Sequence, residues 1–341
     1  EQIGNPCCNK PDAGPCNEVI YLNLYIAVDG GGTKTETLLF DGSGHILARD
    51  VTTGCNPLDI GSLASAKLLC DAVRGISAAA KGQIGSVFCG VAGNCHSHGA
   101  LLEYLRAHID APSLNVCDDT YNVISSELER ADGCGLVAGT GSSLLVRVKG
   151  KICRHIGGWG FLIDTGGSGY VLGHDAIYMA LRAIDGRGEK TVLTELLGRA
   201  LGESVDQAMA QIYAGGRSFI ASLAHTVFEG RAMGDKVAGE IFDKGVASLA
   251  ELVSTAAQYF PGEYPVVLGG GLFSVYPEYV AALRQSCPAQ ARLISTDMPV
   301  VYGAAVEALA AVNMGIDAAF RSTFLSDYHA LTAAARQGRA M

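Results

Sequence analysis

Asp29-Gly30-Gly31-Gly32-Thr33-Lys34-Thr35 joins the apolar run Leu24 to Val28 to a second run, Thr37 to Phe40. An acidic residue closing a strand, three glycines that admit bare backbone and two hydroxyls are chemistry suited to Mg²⁺ and a phosphate chain. Lys34 follows Thr33 rather than a glycine, and no further glycine opens a helix. The loop is therefore neither a P-loop nor a dinucleotide fingerprint. The stretch Leu136-Val137-Ala138-Gly139-Thr140-Gly141-Ser142-Ser143 repeats the plan of strand, glycine and hydroxyl turn, and strand (Leu144 to Val148). Two such units read as a duplicated phosphate clamp, one from each of two related domains. A nucleoside triphosphate is the ligand this predicts.

Composition sets the outer limits. A chain of 341 residues is long enough for two globular domains, each with its own core. A net charge of -9 and a pI near 5.4 argue against nucleic acid or an anionic membrane as partner, since basic side chains hold both. Forty-four glycines in a chain that is 49% hydrophobic suggest an α/β protein with many backbone-approach loops rather than a disordered one. The eleven cysteines are odd in number and scattered, as at Cys70, Cys89, Cys117, Cys134 and Cys153, which suggests reduced thiols and a cytoplasmic protein. No run reaches the roughly 18 apolar residues of a membrane span, and Glu1 to Asn23 lacks the pattern of an export signal. Cys7, Cys8 and Cys16 among Pro6, Pro11 and Pro15 read as a loose leader.

From Tyr25 the pattern predicts strands over 25–29, 36–40 and 45–50, an antiparallel meander with a turn at Asp41-Gly42-Ser43-Gly44. A helix over 62–79, a strand over 86–91, a helix over 99–108 and a strand over 113–117 ending at Asp118-Asp119 follow. Three antiparallel strands followed by αβα units place this half in the ribonuclease-H-like class. The second half opens the same way, with strands at 135–139, 143–148 and 151–156. Residues 168–258 then carry helical periodicity, and the α/β pattern returns with strand 265–268, helix 276–285, strand 291–294 and helix 301–312.

Five motifs in order, Asp29-Gly30-Gly31-Gly32-Thr33-Lys34, Gly139-Thr140-Gly141-Ser142, Gly157-Gly158-Trp159-Gly160, Gly167-Ser168-Gly169-Tyr170 and Leu268-Gly269-Gly270-Gly271, resemble the BadF/BadG-type family of the actin/hexokinase/Hsp70 superfamily. Within it the chain is most similar to N-acetylglucosamine and glucosamine kinases, over residues 25–315. The resemblance implies two ribonuclease-H-like, actin-like ATPase domains around a central cleft: a leader at 1–24, domains at 25–122 and 123–315, a helical insertion near 185–258 in the second, and a C-terminal segment at 316–341. It also implies ATP and Mg²⁺ as cofactors and a small-molecule sugar as substrate, phosphorylated at a hydroxyl, expected to be C6. A homodimer is compatible with it.

Sugar phosphorylation needs a grip on the triphosphate, Mg²⁺, a base for the attacking hydroxyl and a pocket for the sugar. Gly31, Gly32, Thr33, Lys34, Gly139, Thr140, Gly141 and Ser142 offer amides and side-chain donors for phosphates, although hairpin turns use the same residues. Asp29, at a strand end beside glycines, suits hydrated Mg²⁺. One of Asp118 and Asp119 is expected to cap a helix and the other to be the base; the resemblance favours Asp119 as base. Gly269, Gly270 and Gly271 resemble the family's adenosine loop, where backbone passes close to base and ribose. For the sugar the resemblance points to Asn56, Gly158, Trp159 and Gly160, with a turn-forming role open for Asn56 beside Pro57 and a core role open for Trp159. Related kinases read Gly-Asp-Glu-Gly-Ser after the Trp loop, whereas this chain has Asp164-Thr165-Gly166-Gly167-Ser168. Thr165 occupies the sugar-contacting acid position and Asp164 stands one place early, so sugar selection is expected to differ or to shift onto Asp164.

Other chemistries fare worse. Cys89, Cys95, His96 and His98 lack a second pair at zinc spacing, and neither an elbow serine nor a His-Glu-x-x-His helix is present. The rival within the family is an ATPase that activates a dehydratase through an iron-sulfur cluster shared between subunits, for which Cys134 and Cys153 are the candidate ligands. A non-catalytic nucleotide or sugar sensor is the third reading, kept open by Thr165.

Overall fold

The computed structural model describes residues 23–93 and 95–338; the cysteine-bearing leader and the side chains of Cys95 and His96 lie outside the described part. The first half runs β1 (Asn23–Gly30), β2 (Lys34–Asp41), β3 (Ile46–Thr53), α1 (Pro57–Ile60), α2 (Ser62–Ser77), β4 (Gln83–Val91), α3 (Cys95–His108), β5 (Ser113–Asp118) and α4 (Thr120–Leu128). The second runs β6 (Gly133–Ala138), β7 (Ser142–Val148), β8 (Lys151–Ile156), α5 (Gly169–Ile184), α6 (Leu193–Leu201), α7 (Met209–Ser222), α8 (His225–Ala232) and α9 (Lys236–Ala256). It continues with β9 (Tyr264–Gly269), α10 (Gly271–Val275), α11 (Pro277–Ser286), β10 (Ala291–Ser295), α12 (Val300–Ala310) and α13 (Ala318–Gly338).

The two five-stranded sheets have one order. The first is β3-β2-β1-β4-β5 and the second, from the matching edge, β8-β7-β6-β9-β10. In each, a meander of three antiparallel strands is extended by two strands parallel to the central one. The echo between the two glycine turns is thus an echo of whole sheets.

Successive side chains of a strand point to opposite faces, and β1 buries both. Leu24, Ile26 and Val28 pack with Leu69, Val73, Leu101 and Leu105 of α2 and α3. Tyr25 and Ala27 pack with Val301, Tyr302, Ala305, Phe320 and Phe324 of α12 and α13. A run of apolar residues without alternation is what two covered faces require. The chain therefore exchanges helices between halves: α12 and α13, from its end, cover the first sheet, while α4 packs on β6 and β9 of the second. The expected cut at 122/123 falls inside α4.

The seam where α4, β7 and α12 meet holds a buried charge network. Arg147 donates from Nη2 to Glu307 Oε1 and to Ser125 Oγ, both at 2.6 Å, and Arg130 Nη1 donates to Glu307 Oε2 at 2.6 Å. Arg147 is 1% exposed and Glu307 6%, so each charge relies on its partner rather than on water.

Candidate functional site

In α/β sheets ligands bind beyond the carboxyl ends of parallel strands, and here both sheets end at one cleft of about 830 Å³. Asp29 on β1, Asp118 and Asp119 after β5, Gly139 to Ser143 after β6 and Gly269 to Gly271 after β9 line it, with Gly31, Gly32, Thr33, Lys34, Asn56, Gly158, Gly160 and Thr165.

Asp118 and Asp119 divide their roles. Asp118 Oδ1 accepts from Thr120 N at 3.0 Å and from Thr120 Oγ1 at 2.5 Å, tying down the start of α4. Asp119 stands at the N-cap position but makes no capping bond with its side chain. Burial first, then the charges of Asp118 and Asp29, push the Asp119 carboxyl well above the ordinary carboxylate range. Thr120 Oγ1 also reaches Ser143 Oγ at 3.2 Å, linking this turn to the second hairpin.

Asp29 Oδ1 accepts from Asn122 Nδ2 at 2.9 Å. Its carboxyl is pushed up to about 6, mainly by desolvation, against the lowering effects of Asn122 and Lys34. A buried carboxylate loses the stabilisation that water would give its charge, a loss that a divalent cation would offset. Among the described residues no group of three or more His, Cys, Asp or Glu could hold a metal. Mg²⁺ bound through one or two carboxylates, waters and phosphate oxygens does not need one.

The glycines of the third loop separate into two kinds. Gly270 has φ of 100°, and a β-carbon there would run into the Ala138 backbone. A β-carbon on Gly269 would meet Val123, so the fold itself accounts for both. Gly271 has open space where its side chain would be, so packing within the protein does not require glycine there.

The expected sugar residues lie unevenly. Asn56 Oδ1 caps α1 by accepting from Leu58 N at 2.9 Å, the turn role left open for it, while the residue lines the cleft. Thr165 Oγ1 accepts from Ser142 N at 3.0 Å and Ser142 Oγ donates to Gly166 O at 2.7 Å, so Thr165 pins the second hairpin. Asp164 is outside the cleft lining, its amide donating to Gly160 O at 2.9 Å. Trp159, 70% exposed and stacked on His155, is neither a core residue nor part of the lining.

Two cleft residues escape a sequence reading. His155 lines the cleft with a buried Nε2 that has no partner among the described residues. Arg217 donates from Nη2 to Asp59 Oδ2 at 2.6 Å. Gly215 and Gly216, interrupting a helical run just before Arg217, are the one signal that could have marked it. The zinc reading loses two of its members, since Cys89 is wholly buried and His98 Nε2 donates to Val91 O at 2.8 Å. Cys134 is wholly buried in the second core, its thiol pushed up to about 12 by desolvation, and cannot face a partner subunit to share a cluster.

Two sheets of one order around a shared cleft give the two-domain fold of the actin-like ATPases. A sequence model of the BadF/BadG/BcrA/BcrD ATPase family matches residues 26–308, and the chain belongs to that family. It is similar to the N-acetyl-D-glucosamine kinase of Dictyostelium discoideum, 25% identical over 270 residues, 73% of this chain and 85% of that protein. It is 29% identical over 201 residues to the N-acetylmuramic acid/N-acetylglucosamine kinase of Clostridium acetobutylicum, spanning 56% of this chain and 65% of that one. The solved structure of a proposed N-acetylglucosamine kinase from Chromobacterium violaceum superposes with a TM-score of 0.67 at 24% identity, covering 84% of this chain and 99% of the other. The ROK family glucokinase of Streptomyces griseus, solved with glucose and AMPPNP, gives 0.57 at 18% identity over 86% and 100%. Among the described residues no helix is long and apolar enough to cross a membrane.

Proposed function

We propose that the protein is an ATP- and Mg²⁺-dependent kinase that transfers the γ-phosphoryl group to a hydroxyl, at C6, of an amino sugar of the N-acetylglucosamine or glucosamine type. The observation that carries this reading is the pair at the end of β5, where Asp118 takes the capping bonds and leaves Asp119 free on a cleft lined by both hairpins. Asp119, held by the start of α4, accepts the proton of the attacking hydroxyl as the new P–O bond forms. The amides and hydroxyls of Gly31 to Lys34 and Gly139 to Ser142 grip the phosphates, and Gly271 leaves room for the adenosine. Asp29 would hold Mg²⁺ through water, and the metal would supply charge neutralisation between the phosphate oxygens. The activities of the two kinase relatives support the substrate class. With Asp164 outside the cleft and Thr165 engaged by Ser142, sugar contacts fall to Asn56, His155 and the backbone of Gly158 and Gly160.

ADP release from purified protein with ATP and Mg²⁺ tests the reading, measured without sugar and with N-acetylglucosamine, glucosamine, N-acetylmuramic acid or glucose. Stimulation by an amino sugar is expected, with the phosphorylated carbon identified by NMR. Release that ignores every sugar sinks the kinase reading.

A further inference from the structure

Arg217 is 7% exposed yet lines the cleft, and the ion pair with Asp59 is its single hydrogen-bonded contact among the described residues. Its Nε is buried without a partner. A guanidinium has five N–H donors in a planar fork, so most of this one's capacity is unspent in a place where water does not reach freely. The ring of Phe161, with its centroid 5.8 Å from Cζ, supports the group by a cation–π contact that consumes no donor.

The location is specific. The point where Gly32 would carry a β-carbon lies 3.8 Å from Arg217 Nη2, 3.7 Å from Thr140 Oγ1 and 3.6 Å from Asp59 Oδ2. The guanidinium thus stands where the first hairpin, bearing Gly32, meets the second, bearing Thr140. Helix α7 breaks to put it there: Gly216 has φ of 63° and ψ of −158°, a conformation open to glycine, immediately before Arg217.

We propose that Arg217 is a ligand of the terminal phosphate of the bound nucleoside triphosphate, its charge balanced and its position held by Asp59 until the phosphate arrives. The inference rests on the phosphate-gripping role given above to the two hairpins. A tetrahedral, doubly charged terminal phosphate accepts the fork of an arginine in bidentate fashion and satisfies the donors that Asp59 leaves unused. Asp59 belongs to α1 of the first half and Arg217 to α7 of the second, so the exchange replaces one bridge across the cleft by another that includes the nucleotide. A diphosphate, lacking the terminal group, leaves the Asp59 pair intact.

Binding of ADP and of a non-hydrolysable ATP analogue to the full chain, by calorimetry with Mg²⁺, separates the possibilities. For Arg217→Ala, with a melting temperature near the parent's, analogue affinity should fall at least tenfold while ADP affinity stays within twofold. Asp59→Asn, which frees the guanidinium, should tighten the analogue at least threefold and leave ADP unchanged, a second reading should Arg217→Ala fold poorly. Equal losses for both nucleotides in Arg217→Ala, or weaker analogue binding in Asp59→Asn, overturn the assignment and leave the hairpin clamp standing. A parent protein that binds neither nucleotide overturns the clamp as well.

Discussion

The two hairpin loops that face the cleft share one plan and are held by different means. The first, Gly31 to Lys34, is closed by backbone alone, with Gly31 N donating to Lys34 O at 2.9 Å and Cys55 N to Gly31 O at 3.1 Å. Its lysine turns to Glu36, 3.1 Å away, and stays more than half exposed. The second is pinned by Thr165 and Ser142 side chains and by the first turn of α5, where Gly169 N donates to Gly139 O at 2.7 Å. Around the first loop stand the carboxylates Asp29, Asp118 and Asp119; around the second stand hydroxyls and amides, with the Arg217 guanidinium where the two loops meet. A duplicated frame has therefore been divided between a half that gathers carboxylates, to which we assign the proton and metal chemistry, and a half whose turn is fixed by hydrogen bonds. Free carboxylates are costly to hold in place, and fixed dipoles are not.

Substitutions on either side can break that division. Asp119→Asn should lower kcat by about 10² to 10⁴ while leaving affinity for an ATP analogue within a few-fold, because it removes the base and little else. Retained turnover would move the chemistry away from the first half. If Asp119 is the base it must be deprotonated to act, so kcat/KM of the parent protein should fall as pH drops through a value above the ordinary carboxylate range, the direction burial and Asp118 impose. Glu307→Ala tests the seam that joins the halves, since it strands Arg147 without its partner. It should cost about 3–5 kcal/mol in urea unfolding, and a loss under about 1 kcal/mol would mean that water enters and solvates the arginine.

Thr165→Val attacks the grip alone. An orphaned Ser142 amide costs about 1–3 kcal/mol, and KM for ATP should rise in steady-state assays with kcat affected less. The reverse pattern would place Thr165 on the sugar. The smallest effect belongs to Asp29→Asn as a stability change. Its folded-state value of about 6 lies above the ordinary one. The contribution is therefore present in full below the ordinary value and is lost as pH rises through about 6. The variant should melt a few degrees higher than the parent near pH 7.5, without added Mg²⁺, and no higher near pH 3.5. Activity should fall in the same variant, a trade of function for stability.

Much of this was open to reading in one dimension. The glycine and hydroxyl turns between apolar runs, the meander and the order of αβα units follow from period, glycine placement and polarity, which act over a few residues. The likeness between the two sheets was visible because each hairpin is local. The sequence narrows the capping residue to Asp118 or Asp119, and the backbone of α4 shows that Asp118 takes the capping bonds. Other matters rest on groups far apart in the chain. The crossing of α12 and α13 onto the first sheet depends on which helix fills which face, and apolar periodicity says only that some face is filled. Thr165 meets Ser142 across 23 positions and Arg217 meets Asp59 across 158. A buried donor takes whatever acceptor the fold brings within 3 Å, and no spacing in the sequence records that meeting. The sequence by itself determined a duplicated glycine and hydroxyl turn with carboxylates at strand ends; only the tertiary structure decided which polar groups are engaged with one another and which are left without a partner among the described residues.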